Sequence, residues 1–478
     1  MCYLVIGALS LFILAVHTYR IVRVNNKPLW GDAFTYLRIA REIARCRCIP
    51  DRLSFFRIGK DEVDRFTLPP LLMLLLAPFS RLPYRVMIQT SFLFDLLIAV
   101  MCFLTARLIL HCTATQAAFA SLIYLLTPIT CFTTTSLTPR PLGLLFFLLF
   151  SVSVAFCLET GSWSAFFLAV ASVTFLLLSQ RMVVQIVFLV SPLVVGFLEI
   201  SSHTGAVILF SIVLGITGAL LLTKGRYFVI IVDHFRRVLV HVRFGDQAAF
   251  KKKLGNPLEI IKANPWLLLL PLLLWQHGAF DYLSLIMLGY TMGVLILAEF
   301  WVFGNGINHI YFASPLVALL LVKNLQIGTE IAALMLCIGT ASFYLVLRRY
   351  RVVADRRAIS QDWLDCFAFI NASRLEGTIM VVPSVACSPI VYYTGLNLLS
   401  SGHGSNAMVF NRLHLRKRML DKGFIQKVVQ DNGIDYILVE TDKLPATVLE
   451  LAAGPNEPKG SVLMQNATIT LLGFHEVQ

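Results

Sequence analysis

The sequence predicts a polytopic α-helical membrane protein of about eleven spans with a small C-terminal α/β soluble domain. Three observations carry that reading. Of 478 residues, 57% are hydrophobic and 14% charged, against about 45–50% and about 25% in soluble chains. Apolar runs long enough for a hydrocarbon core, about 20 residues each, recur up to residue 350. Beyond Tyr350 the texture changes to short β-like and amphipathic runs. A soluble protein of this size cannot hide so much apolar surface in one core, and the mean hydropathy is +0.76. Soluble, disordered, fibrous and small disulfide-stapled classes are excluded.

The elements follow in order. Residues 3–22 read as a retained first span, because no basic stretch opens them and no A-x-A-like site precedes Arg20. A hydrophilic first loop covers 23–83. Its end, LPPLLMLLLAPFSRL (68–82), is too short and Pro-broken to span, so it reads as an interfacial or re-entering helix. Further spans are read at 84–110, 115–132, 139–158, 163–180, 182–200 and 204–223, then 265–276, 280–303, 309–326 and 329–348. The 265–276 span is short and flanked by proline. A second large loop covers 224–264. Together these make a transmembrane domain, 1–350. In 351–478, TIMVVPS (378–384) and DYILVE (435–440) read as strands, Arg412 to Gln430 as an amphipathic helix, and SVLMQNATITLLGF (461–474) as a terminal hairpin.

The chain carries 40 Lys+Arg against 27 Asp+Glu, a net +13. Residues 351–478 are neutral, whereas 20–68 carry +5 and 224–264 carry +6. Such loops either bind lipid headgroups or face an anionic substrate. Eleven spans put both loops and the C-terminal domain on one side. The positive-inside rule would make that side cytoplasmic, but long loops translocate largely regardless of charge. The short loops nearly tie, with Arg107 and Lys323 on one face and Arg140 and Arg181 on the other. Sequons at Asn371 and Asn466 favour an outside C-terminal domain. Composition leaves the topology open.

Cys46, Cys48, Cys366 and Cys387 share the loop side and can pair. The C-x-C at 46–48 lacks His or further Cys nearby, which argues against zinc. In WGDAFTYLRIAREIA (30–44), Asp32, Tyr36 and Ala40 share one helix face. Asp32 can simply cap that helix. Asp61, Glu62 and Asp64 cluster just before Pro69-Pro70. Asp95 and Glu299, inside spans, should face the protein interior. Asp95 reads as structural, paired with Arg107 or a neighbouring hydroxyl.

One span, then G-D-A-x-x-Y-L-x-x-A-x-x-I (31–43), then R-F-T-x-P-P-L-L (65–72) leading into L-L-A-P-F-S-R-L-P (75–83), resembles the GT-C superfamily of integral-membrane glycosyltransferases. TPRPLGLL (138–145), GNGINHIYFASPLVALL (304–320) and a C-terminal domain with Y-T-G (393–395) and D-Y-I-L-V (435–439) agree with that order of elements. The types it resembles are the protein mannosyltransferases, aminoarabinose transferases and oligosaccharyltransferases. The resemblance implies transfer of a sugar from a polyprenyl-phosphate or polyprenyl-diphosphate carrier, with inversion, on the non-cytoplasmic face of the plasma membrane or its equivalent. It maps the general base onto Asp32. Arg140, Arg181, Lys224 and Arg226 are the candidates to stabilise the departing lipid phosphate. Tyr36, Glu62, Asp64, Glu299, Asn308 and His309 complete the substrate-binding candidates. The implied partners are the lipid-linked donor, a glycan, lipid or protein acceptor, and membrane lipids, with no nucleic acid.

Two departures from that pattern matter. TTTSLTPR (133–140), between spans three and four, lacks the acidic residues that metal-dependent members place there, so that loop does not support a divalent metal shared with Asp32, and Glu62 or Asp64 remains as the alternative ligand source. Asn305 and Asn308-His309 stand where Glu and Arg-Tyr are usual. The alternatives are a transporter or flippase of lipid-linked or anionic solutes, and a non-catalytic subunit of a membrane complex. No Walker, dinucleotide-fingerprint or H-E-x-x-H motif is present.

Overall fold

The computed structural model describes Ala15, Thr18, Tyr19 and residues 28–29, 31–130, 137–202, 205–244, 257–276, 281–299, 307–325, 329–382, 387–399, 429–440 and 460–474. Most of the expected first span and of the expected 412–430 helix lies outside them.

The first loop opens with α1 (Ala33–Cys46), which ends on Arg47 in the left-handed region. A hairpin of β1 (Arg52–Arg57) and β2 (Val63–Arg65) follows, then the short α2 (Leu71–Leu76). The helical bundle begins with α3 (Tyr84–Ile109) and α4 (Ala114–Leu125). Thr113 and Gln116 form a capping box that starts α4. Next come α5 (Arg140–Thr160), α6 (Trp163–Ser179) and α7 (Met182–Glu199). Gly161 in the left-handed conformation turns α5 into α6. A π-turn at Ile186–Val190 interrupts α7 just before Ser191-Pro192. Pro192 has no N–H to continue the regular ladder, so a wider turn is the expected accommodation.

After α8 (Ala206–Leu222) the chain turns through 113° into α9 (Arg226–Phe244). Lys224 and Gly225 make the turn at φ 51° and φ 80°, and Gly225 adopts its angle at little steric cost. The start of the basic 224–264 stretch is therefore a helix crossing α8 steeply. Then follow α10 (Pro257–Ala263), α11 (Leu270–Gln276), α12 (Tyr282–Glu299), α13 (Ile307–Asn324) and α14 (Thr329–Arg357). The last of these runs unbroken through Tyr350, where the sequence suggested a domain boundary.

Among the described residues, α3, α5 and α7 are long and apolar enough to cross a membrane, and α8 with α9 makes a fourth if the bent pair is one span. Several of the eleven expected spans are shorter helices here, such as α4, α6 and α12, or fall outside the described residues. The bundle core includes Tyr124, Phe147, Phe150, Tyr290, Tyr311 and Phe312, all fully buried. Asp95 sits inside it and accepts hydrogen bonds from Tyr124 Oη and Tyr311 Oη, each at 2.5 Å. Two of its partners are thus hydroxyls, while Arg107 Nη1 donates to the Cys112 carbonyl at 3.1 Å.

Beyond α14 come α15 (Gln361–Ala372), β3 (Thr378–Val382), α16 (Cys387–Tyr393), β4 (Asn397–Leu399), β5 (Tyr436–Glu440), β6 (Gly460–Gln465) and β7 (Ile469–Phe474). The sheet order is β2-β1-β4-β3-β5-β7-β6. The central β1, β4, β3 and β5 are parallel, and both flanks are antiparallel. One edge of the sheet, β2 with β1, therefore belongs to the first loop. Phe56 and Arg57 pair with Leu398 and Leu399, more than 300 positions later. A second core joins both regions, with Phe34, Phe56, Leu72 and Leu142 packed with Trp363, Ile379, Leu398 and Leu471. The 23–83 loop and the 351–478 segment share one sheet and one core.

Candidate functional site

The site grows from the start of α1. Asp32 precedes the helix at φ −70°, ψ −13°, and its side chain makes no capping hydrogen bond. The residue lines a cavity of about 150 Å³. Tyr36, one turn along, lines the same cavity, as the shared helix face requires. Leu68, Pro69, Leu72 and Met73 close it from the end of the first loop. Thr138, Pro139 and Arg140 enter from the start of α5, and Ser179, Gln180, Arg181 and Met182 from the break between α6 and α7.

That break has a local cause. Gln180 is extended, at φ −151°, ψ 141°, and separates the two helices. Arg181 then starts α7 and is held on several sides. Its Nε donates to the Thr67 carbonyl at 3.0 Å and its Nη2 to Thr67 Oγ1 at 2.6 Å. The same Nη2 also contacts the Thr67 carbonyl and lies 3.4 Å from Asp233 Oδ2. Both charged side chains of that pair are nearly buried, 12% and 9% exposed, so neither is left to solvent. One turn further, the Gln185 amide lies between two imidazoles, at 2.7 Å from His309 Nε2 and 3.2 Å from His234 Nε2. This polar chain ties the first loop, α7, α9 and α13 together behind the cavity.

The remaining candidates lie elsewhere. Arg226 donates to the Ile49 carbonyl at 2.9 Å and pairs with Asp51 at 2.6 Å. It lines a neighbouring cavity of about 270 Å³ with Arg52 and Arg65. Pro69 lines the first cavity and Pro70 the second, so the two adjoin. Lys224 is exposed on the α8–α9 turn. Glu62 is exposed at the hairpin turn, where its carbonyl accepts from Ile58 N–H. Asp64 is fully buried within β2 and accepts from the Arg65 N–H at 2.9 Å. Asn308 and His309 are buried near the start of α13, and Glu299 is the last residue of α12.

Asp32 is the acidic residue among those lining the cavity, and among the described residues no three His, Cys, Asp or Glu side chains converge as a metal set. The described lining residues do not fit a divalent cation, which needs a fuller oxygen shell. Cys46, Cys48 and Cys366 are free thiols.

The α1 helix is clamped by α16. Arg41 Nη2 donates to Tyr392 Oη at 2.7 Å, with the guanidinium 4.1 Å from that ring's centroid. Thr35 Oγ1 donates to Ser388 Oγ at 3.0 Å, and Phe34 stacks on Tyr84 at 4.6 Å. Burial pushes the Tyr392 hydroxyl above its usual range, against the opposing pull of Arg41, so it stays protonated near neutral pH.

Sequence reasoning named Asp32, Tyr36, Arg140 and Arg181, which the structure brings to one cavity. It missed Thr67, Thr138, Gln180, Gln185, Asp233 and His234. One signal was present: Asp233-His234 interrupts an otherwise basic stretch. Nothing local connects it to Arg181.

The sequence matches no protein-family model and no curated protein. The fold does match solved structures. ArnT from Cupriavidus metallidurans bound to undecaprenyl phosphate is similar at TM-score 0.59 and 14% identity, over 98% of each chain. The same protein in its apo state gives TM-score 0.60 and 14% identity, over 98% of this chain and 97% of that one. The Archaeoglobus fulgidus oligosaccharyltransferase, in complex with zinc and sulfate, gives TM-score 0.62 and 10% identity, over 90% of this chain and 67% of its own. At such identities the likeness is one of fold: over nearly its whole length the chain folds like ArnT and, over 90% of it, like the archaeal oligosaccharyltransferase.

Proposed function

We propose that the chain is a membrane glycosyltransferase that moves a sugar from a polyprenyl-phosphate or polyprenyl-diphosphate carrier to an acceptor on the non-cytoplasmic face. The observation that carries the reading is the shared cavity of Asp32, Arg140 and Arg181. Asp32, which makes no capping hydrogen bond, and two arginines line one cavity where the first loop reaches the starts of α5 and α7. The fold supports it, since ArnT, a protein of the same fold, binds undecaprenyl phosphate.

In this reading Asp32 takes the proton from an acceptor hydroxyl within hydrogen-bond reach. The acceptor oxygen attacks the anomeric carbon from the face opposite the leaving group. The bond from that carbon to the phosphate oxygen breaks with inversion, and the carrier phosphate leaves with the electron pair. Arg140 stabilises the developing phosphate charge, as a fixed cation in a closed site does best. Arg181, already engaged by Thr67 and Asp233, holds the pocket wall and adds long-range positive potential. The C-terminal segment, sharing its sheet with the first loop, stands on the same non-cytoplasmic side.

The test is direct. Membranes containing the native chain or Asp32→Asn receive labelled polyprenyl-phosphate sugars, and label in products is counted. Transfer by the native chain alone supports the reading. Equal transfer by both removes Asp32 from its role, and absence of transfer from every donor points to the transporter or subunit alternatives.

A further inference from the structure

The two basic loops meet in the second cavity, the one of about 270 Å³ beside Pro70. Arg52 and Arg65 reach it from the first loop, and Arg226 from the start of α9. Arg52 and Arg65 are direct cross-strand partners in the β1–β2 hairpin, so their side chains rise from the same face. The next pair, Leu53 and Asp64, belongs to the opposite face and is buried. Like charges directly opposite each other in a ladder are destabilising. The Phe66 N–H nevertheless donates to the Asp51 carbonyl at 2.9 Å and keeps that end of the hairpin closed. A third guanidinium stands in the same wall, where Arg226 contacts Asp51 and the Ile49 carbonyl. Asp51 is the acidic residue of the lining. Among the described residues no carboxylate pairs with Arg52 or Arg65. Three guanidinium groups against one carboxylate leave two positive charges around one open cavity. All three arginines are exposed, so a ligand can reach them.

An anion relieves such a surplus, and guanidinium groups match phosphate in geometry as well as in charge. The charge count selects among phosphates. A phosphomonoester carries about −1.5 to −2 near neutral pH and a diester a single negative charge, so the monoester balances the uncompensated pair of cations more closely. The rest of the wall selects the carrier of that phosphate. Pro50, Phe66, Pro70, Val229 and Ile230 give it an apolar side. Leu221, Leu222, Phe228 and Val229 are exposed on either side of Arg226 along the chain, at the sharp turn from α8 into α9. Open apolar side chains beside arginines mark a surface at the membrane interface. A soluble phosphate leaves that apolar side bare, whereas a lipid covers it with its chain.

We infer that Arg52, Arg65 and Arg226 form a binding site for a lipid that ends in a phosphomonoester, seated beside the Asp32 cavity. The site stands independently of the glycosyltransferase reading.

The experiment measures binding by the full-length protein in phosphatidylcholine nanodiscs at one fixed salt concentration, since salt screens exposed charges. The probes are phosphatidic acid, phosphatidylglycerol and inorganic phosphate: a monoester on a lipid, a diester on a lipid, and phosphate without a chain. The native protein binds phosphatidic acid about tenfold more tightly than either of the others. Arg52→Gln and Arg65→Gln each weaken phosphatidic acid binding about tenfold. Arg45→Gln removes an exposed charge outside the cavity and leaves that affinity unchanged. Melting curves in lipid-free detergent put Arg65→Gln no lower than the native protein, because the exchange removes a like-charge contact. A fall of several degrees makes Arg65 a structural group and overturns the inference. Native affinity for phosphatidylglycerol or inorganic phosphate equal to that for phosphatidic acid overturns it too, as does unchanged affinity in both cavity variants or an equal loss in Arg45→Gln. Transfer is never read, so the glycosyltransferase reading stands or falls by its own experiment.

Discussion

Arg181 Nε donates at 3.0 Å to the carbonyl of Thr67, 114 positions earlier in the chain. The bond holds the residue just before Leu68-Pro69-Pro70, so the guanidinium sets where the first loop meets the membrane-spanning bundle. A planar fork reaches the Thr67 carbonyl, its hydroxyl and Asp233 together, which an ammonium cannot copy. Arg181→Lys is expected to keep the charge but lower the melting temperature in detergent by several degrees. Asp233→Leu leaves the guanidinium buried with one partner fewer, and the expected loss is about 3 kcal/mol. A melting temperature within one degree of native for both would show that the clamp is ornamental.

Asp32 makes no capping hydrogen bond to α1, and asparagine keeps its size and one acceptor oxygen, so the exchange should separate activity from stability. Asp32→Asn should lower transfer about 10²–10⁴-fold, the usual contribution of a general base. Circular dichroism melts of the variant and native chain should superimpose. A large fall in stability would instead return Asp32 to a structural role.

Arg41 and Tyr392 link the helix bearing Asp32 to α16 by a hydrogen bond and a cation–π contact. Tyr392→Phe keeps the ring and removes the hydroxyl, for an expected loss of about 1 kcal/mol. Arg41→Met removes both, for about 1–2 kcal/mol more. Because α1 carries Asp32 and Tyr36, both variants should reduce kcat. A double-mutant cycle tests whether the two losses are coupled, and additive effects would argue against the link.

Phe56 is fully buried in β1, paired with β4. Phe56→Ala should destabilise by about 3–5 kcal/mol and open two distant regions at once. Limited proteolysis should then show faster cleavage both within 49–65 and near 397–399. Cleavage confined to the first loop would mean that the sheet does not couple them.

Asp32 is the acidic residue among those lining the cavity. Transfer should accordingly be insensitive to EDTA, measured as initial rate with and without chelator. A loss restored by a divalent cation would reveal a metal that these residues do not foretell.

Local pattern sufficed for what local physics controls. Apolar runs and a low charged fraction announce a membrane protein, because a bilayer demands long uninterrupted stretches. Strands are found at 378–382, 436–440 and 460–474, where β-rich runs were read. Asp32 and Tyr36 share a cavity because a helix repeats every 3.6 residues. Tertiary structure alone decided the rest. It put Arg140 and Arg181 beside Asp32, and gave Arg226 a neighbouring cavity with Arg52 and Arg65. It left Glu62 exposed at a hairpin turn and buried Asp64 in a strand. It paired β1 of the first loop with β4 of the C-terminal segment, and Thr67 with Arg181. Those pairs are separated by more than a hundred residues, and periodicity in a sequence carries no record of which distant surfaces will bury each other. Gln180 shows the point most simply: nothing local to a span boundary tells that folding will bury its amide oxygen, without a hydrogen-bond partner, against Gly143 of α5.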